Sequence, residues 1–183
     1  MASVLVDEMR CLDSSDSADD IYLMTFRGNT TAPFASNVGV QGPGNFWDDF
    51  DATEVRKQDI AIAQFRTDAV YVVMLVDQDS GRDIDTEALG LWKTMTDVAW
   101  KAMMVSQTVA GLGTGAEQQR AAAAAGIVNA FLGAASATIR APKDPDDRIG
   151  LPKRLSVTPG KTTVIDFKES GGDGHYKVTF KVQ

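Results

Sequence analysis

Val70-Tyr71-Val72-Val73-Met74-Leu75-Val76 runs without a break into Asp77-Gln78-Asp79-Ser80-Gly81-Arg82-Asp83-Ile84-Asp85. The first seven residues are continuously apolar, too short a run for a membrane span and the right length for a buried central strand. The nine that follow hold four aspartates, so the strand ends in an acidic loop. Working toward the N-terminus, Ile60, Ile62 and Phe65 mark another strand. Residues 28–54 are punctuated by Gly28-Asn29, Pro33, Gly39 and Gly42-Pro43-Gly44 and read as loop, with Phe46, Trp47 and Phe50 as anchors of a satellite core. Residues 3–12 and 20–27 read as two further strands: Val4 and Val6 alternate with Ser3, Leu5 and Asp7, and Ile21-Tyr22-Leu23-Met24-Thr25-Phe26 is rich in β-formers.

Toward the C-terminus the composition changes. From Ala88 to Arg140 only six of 53 residues are charged. Leu89, Trp92, Met95, Ala99 and Met103 recur at spacings of three and four, which predicts a helix over 86–109. Its apolar residues cover more than one face, so burial on two sides is expected. Gly111-Leu112-Gly113-Thr114-Gly115 breaks the pattern, and the Ala-rich stretch from Glu117 to Ile139 predicts a second helix. After Pro142, Leu155-Ser156-Val157-Thr158 and Thr163-Val164-Ile165-Asp166-Phe167 flank the turn pair Pro159-Gly160, and residues 175–182 alternate cleanly. The fold class expected is mainly β: an antiparallel β-sandwich, one domain over residues 1–183, with an αα-hairpin inserted at residues 86–140. No βαβ alternation points to a doubly wound sheet.

Composition excludes several functions. The 183 residues carry a net charge of −7, which leaves no broad basic face for nucleic acid. Cys11 is the one cysteine and His175 the one histidine, so a disulfide framework, a cysteine zinc site and a histidine-rich metal site are all excluded within one chain. Cys11 reads as a small packing residue and His175 as a strand surface residue. With no nucleophile–base pair in view, the expectation is a protein that is not an enzyme. The glycine-rich break lacks the Lys-Ser/Thr ending of a P-loop. The start, MASVLVDEMRC, has no basic region before an apolar run, so no signal peptide is expected; cytoplasmic location and unconventional export both stay open.

The acidic loops carry the chemistry. One holds Asp13, Asp16, Asp19 and Asp20, a second Asp77, Asp79, Asp83 and Asp85, a third Asp144, Asp146 and Asp147. Like charges gathered at strand ends repel unless a cation offsets them. Calcium suits, as a hard ion taking six to eight oxygens in flexible geometry. Asp77 and Asp79, two apart on an extended chain, project to the same side. An EF-hand is excluded, because the sixth and twelfth positions counted from Asp77 hold Arg82 and Ala88 in place of glycine and glutamate. The other reading is that these acids are solvated turn residues whose side chains bond the local backbone.

Asp20-Ile21-Tyr22-Leu23, the Asp77/Asp79 pair and Asp147-Arg148-Ile149-Gly150 together resemble the C2 domain, a calcium-binding β-sandwich, in the bacterial C2-like variety. In that family an acidic loop closes on an Asp-Pro-Tyr-like step; here Ile21 stands for the proline. The resemblance implies Ca2+ as ligand and Asp20, Asp77, Asp79 and Asp147 as metal ligands, with Asp13 or Asp16 completing the set. It places the helical hairpin inside the calcium loop, between Asp79 and Asp147, and leaves Asp83 as a rival to Asp147.

The hairpin leaves the partner open. Residues 121–139 carry no charge, yet nine of the nineteen are Ala and Asn129 lies at the centre, which makes membrane insertion marginal. Gly126, Ala130, Gly133 and Ala137 share a face that permits close helix approach. Packing on the sandwich, a homo-oligomer or protein partner, and a membrane-active role are the three readings. The function expected is calcium-dependent protein or membrane association; the alternatives are a self-assembling structural protein and a membrane-active effector or toxin component.

Overall fold

The computed structural model describes residues 1–14, 20–42, 45–77, 86–109, 122, 125–126, 129, 147–168 and 174–183. Among the described residues the chain order runs β1 (Ser3–Asp13), β2 (Ile21–Asn29), β3 (Ser36–Gln41), a 3-10 turn (Asn45–Trp47), β4 (Val55–Gln64), β5 (Ala69–Asp77), the helix α1 (Thr86–Val109), β6 (Asp147–Arg148), β7 (Lys153–Leu155), β8 (Thr162–Lys168) and β9 (His175–Val182). They form two antiparallel sheets. One has the order β4-β1-β9-β8; the other runs β3-β2-β5-β6, with β7 also paired to β5. The β1–β2, β3–β4 and β4–β5 connections each cross from one sheet to the other, whereas β2 and β3 are antiparallel neighbours within the second sheet.

The period-2 rule explains what fills the sandwich. Val4, Val6, Met9 and Cys11 from β1, Ile21 and Leu23 from β2, Tyr71, Val73 and Leu75 from β5, and Tyr176, Val178 and Phe180 from β9 meet between the sheets. Phe46, Trp47 and Phe50 belong to this same core, which corrects the expectation of a satellite cluster. Phe50 is wholly buried and meets Phe46 and Tyr176 edge to face. The aromatics of a loop segment thus close one end of the main core.

The intervening residues of β2 and β5 are buried too. Tyr22, Met24 and Phe26 with Val70, Val72, Met74 and Val76 form a second apolar layer beneath Trp100 and Met104 of α1. A strand covered on both faces reads as continuously apolar, which is why Val70–Val76 shows no alternation. The helix occupies the span its spacing predicts. Trp100 is its anchor: the ring meets Phe26 edge to face at 5.4 Å, and the indole N–H donates to the Asn29 carbonyl at 3.1 Å. Gly28 makes room for it, since a Cβ there would lie 2.5 Å from the indole ring. Ser36 donates to Asp97 at 2.7 Å and pins the helix to β3. Val98 and Val105 stay exposed, so burial of α1 on two sides is not found at these positions.

Two further corrections concern the segment read as loop. Residues 36–41 form β3, the edge of the second sheet, and β4 begins at Val55 rather than near Ile60. Of the second predicted helix, Ala122, Ala125, Gly126 and Asn129 are helical, and Gly126 abuts Met103 of α1; the rest of the 110–146 segment lies outside the described residues.

The end of the sandwich opposite the acidic loops is held by Asp68. Its carboxylate accepts from Arg66 at 2.8 and 3.1 Å and from the Thr31 hydroxyl, while its carbonyl accepts from the Thr30 N–H at 2.7 Å and the Thr30 hydroxyl at 2.8 Å. The Arg66 guanidinium, then Thr31, hold the Asp68 carboxyl at about 2, below the usual 3.8. A depressed carboxylate stabilises the fold above its unfolded value, and that contribution is lost as pH falls toward about 2. Asp68→Asn is expected to cost about 1 kcal/mol near neutrality. It should also flatten the melting temperature against pH below pH ~4. A profile as steep as that of the parent would refute the assignment.

Candidate functional site

Strand register decides which of the predicted acids meet. In the second sheet Ile21 pairs with Asp77, and Asp77 pairs with Asp147 on its other side. Asp20 precedes Ile21 by one residue, so Asp20, Asp77 and Asp147 lie at the same end of three neighbouring strands. That end is where β2 begins, β5 ends and β6 begins. The local sequence explains the pinning. Ile149 is wholly buried in the inter-sheet core, and its N–H donates to the Leu75 carbonyl at 3.0 Å. Gly150 follows with φ +74, and a Cβ there would lie 2.7 Å from the Lys168 carbonyl, so only glycine suits the turn. The Asp147-Arg148-Ile149-Gly150 motif is therefore a short strand, a core anchor and an obligatory left-handed turn.

The acids differ in setting. Asp77 is 5% exposed, at the mouth of the double-buried strand. Asp20 is half-buried and accepts the Asp49 backbone N–H at 3.0 Å, tying the β1–β2 loop to the loop before β4. Asp49 itself has φ 50. Asp13 ends β1 in the other sheet, exposed, and pairs in register with His175 of β9. Asp16 and Asp79 lie outside the described residues, as does the rival Asp83, and for Asp147 the backbone alone is described. Among the described residues no three His, Cys, Asp or Glu side chains gather closely enough to hold a metal ion.

Sequence reasoning missed the support around this end. Arg56 of β4 donates to the carbonyls of Phe46, Asp48 and Asp49 at 3.1, 2.5 and 2.7 Å, pairs with Glu54 at 2.6 Å, and lies 4.0 Å over the Phe50 ring. The Arg56 hydrogen bond holds the Glu54 carboxyl below its ordinary range. A planar fork is what allows one side chain to collect three carbonyls. The signal available was an arginine six residues after a Phe-Trp-x-x-Phe cluster and two after a glutamate, which by itself names no partner. His175 pairs with Asp166 at 2.8 Å and Cys11 is buried in the core.

Chemically, the arrangement is a hard-oxygen end on a rigid sheet. Among the described residues no helix is long and apolar enough to cross a membrane. No family model and no curated protein matches the chain. The chain is similar to a solved C2 domain, the C2A domain of a plant extended synaptotagmin 1, at 9% identity and a TM-score of 0.35, over 100% of this chain and 92% of that one. The protein is a mainly-β, two-sheet antiparallel sandwich. A likeness of that size leaves its function to its own residues.

Proposed function

We propose that the protein is a non-enzymatic, calcium-binding C2-like module. The observation that supports this reading best is the register that puts the nearly buried Asp77 between Ile21 and Asp147, with Asp20 beside it. A carboxylate so far withdrawn from water is costly unless charge or hydrogen bonds offset it. A divalent ion would offset several carboxylates at once. Asp20, Asp77, Asp79 and Asp147 would hold calcium, with Asp13 or Asp16 adding oxygen. Asp20 spends one lone pair on the Asp49 N–H and keeps the others for an ion. Binding would neutralise the repulsion among the loops and order them, and the ordered end would associate with a protein or membrane partner.

Calorimetric titration with calcium, paired with thermal melts in calcium and in chelator, tests this. A ligand at 100 times its Kd adds about 2.7 kcal/mol to a folded state that alone binds it. For a domain near this size that raises Tm by roughly 5–11 °C. Asp77→Asn should abolish both heat and shift while leaving the chelator melt close to the parent's. No heat and no shift at millimolar calcium would refute the proposal. The second reading, self-assembly through the helical region, draws on the exposed Val98 and Val105 of α1. Large assemblies that persist in chelator, seen by sedimentation in the same samples, would favour it.

A further inference from the structure

The edge strands β3 and β4 face one another across the sandwich, and a cavity of about 300 Å³ lies between them. It is lined by Thr25 and Arg27 of β2, Asn37 and Gly39 of β3, and Ile62 and Gln64 of β4. The pairing explains the lining. Thr25 lies opposite Gly39 and Arg27 opposite Asn37, and all four alternate with residues that face α1. They therefore project between the sheets, in the same file as Ile21 and Leu23. In the centre of the sandwich that file is apolar; at this seam it turns polar.

Two features are unusual for a core position. Thr25 is 2% exposed, yet among the described residues its hydroxyl has no hydrogen-bond partner, and the Arg27 Nε is likewise buried without one. Natural structures rarely leave such groups unmet, because each forfeits its hydration. Among the described residues Arg27 also forms no ion pair, although the chain carries seven more acids than Lys and Arg together. Gly39 leaves open the space a side chain would fill. A Cβ there would meet nothing nearer than the Ile62 carbonyl at 3.5 Å.

We infer that this seam is a binding site for a small monocarboxylate with a short aliphatic body. One guanidinium matches one negative charge and offers a carboxylate two parallel N–H groups. The Thr25 hydroxyl donates a further hydrogen bond from the floor. Asn37 and Gln64 supply amides at the mouth, and Ile62 with the Gly39 space takes the aliphatic end. A phosphate dianion would lack a second cation. The size sits at the lower limit of ligand pockets, which suits a molecule of a few carbons. The site is at the side of the sandwich and is independent of the acidic strand ends.

Nuclear magnetic resonance titration with isobutyrate, run in chelator so that calcium plays no part, tests the inference. Saturable shifts at the amides of Thr25, Arg27, Gly39 and Ile62 are expected. Isobutyramide, the uncharged isostere, should bind about tenfold more weakly or worse, a difference of about 1.4 kcal/mol. Arg27→Met should abolish the shifts. Thr25→Val should weaken binding while melting no lower than the parent, because removing an unmet hydroxyl without changing shape relieves a buried group. Equal binding of acid and amide, shifts that survive Arg27→Met, or no shifts at millimolar isobutyrate would each overturn it. Inorganic phosphate moving the same resonances more strongly than isobutyrate would overturn the monocarboxylate assignment.

Discussion

Trp100→Ala is expected to destabilise the protein by about 3–5 kcal/mol, the cost of deleting a large, fully packed aromatic. Trp100 is wholly buried and is among the largest side chains that are. The substitution removes the contact with Phe26 and the indole hydrogen bond to the Asn29 carbonyl. It also uncovers much of the outer faces of β2 and β5, whose Tyr22, Met24, Val70, Val72 and Met74 pack beneath α1 together with Phe34, Val38 and Val40. At roughly 2–4 °C per kcal/mol, the melting temperature should fall by about 6–20 °C. Gly28→Ala supplies the complementary test. Its methyl would come within 2.5 Å of the indole, so it should destabilise the parent strongly. In the Trp100→Ala background the same change should cost little, because the obstruction is gone. A double-mutant cycle reads this as a coupling well above the few tenths of a kcal/mol typical of independent sites. Additive effects, or a Trp100→Ala loss below about 1 kcal/mol, would mean that α1 is not seated on the sheet as described.

That seating also explains which parts of the fold the sequence reveals. Val70–Val76 and Ile21–Phe26 are legible because a strand buried on both faces must be apolar throughout. The helix is legible because Leu89, Trp92, Met95, Ala99 and Met103 recur at spacings of three and four, but that pattern does not name Trp100 and Met104, the residues it seats on the sheet. β3 was hidden for a physical reason. Val38 and Val40 face the helix layer, but the other face carries Asn37 and Gly39 at the polar seam, and its flanks hold the glycines and prolines of loops. The start of β4 was hidden because Arg56, Lys57, Gln58 and Asp59 stand on an edge strand whose residues mostly stay in water. The aromatics Phe46, Trp47 and Phe50 were visible as apolar, but the core they join comes from strands distant in sequence. The candidate metal site divides in the same way. Local motifs put the acids at strand ends, and the registers bring Asp20, Asp77 and Asp147 to one end of the second sheet. The burial of Asp77 could not be read, because it depends on which strands flank it.

Phe50→Ala is the second large effect, again about 3–5 kcal/mol, and it reaches the acidic end as well as the core. Phe50 lies at the junction of two systems. Toward the interior it packs edge to face on Phe46 at 6.2 Å and Tyr176 at 6.0 Å. Toward the surface Arg56 lies over its ring at 4.0 Å while holding the carbonyls of Phe46, Asp48 and Asp49. Deleting the ring removes the platform on which the guanidinium rests, and the loop it gathers is the one whose Asp49 N–H binds Asp20. Stability and the setting of Asp20 should therefore fall together. Arg56→Lys separates the two. It keeps the charge and the core ring but loses the fork, so it should cost less in stability, about 1–3 kcal/mol. Hydrogen exchange at the Asp49 amide reads the loop directly. Exchange should quicken in both variants, by more than global destabilisation accounts for in Arg56→Lys. Unchanged Asp49 protection in Arg56→Lys would show that the aromatic core alone orders this loop and that the arginine only decorates it. The same two variants bear on calcium: if Asp20 is a ligand, loosening its loop weakens the affinity in step with the loss of Asp49 protection, while a site that ignores both variants does not use Asp20.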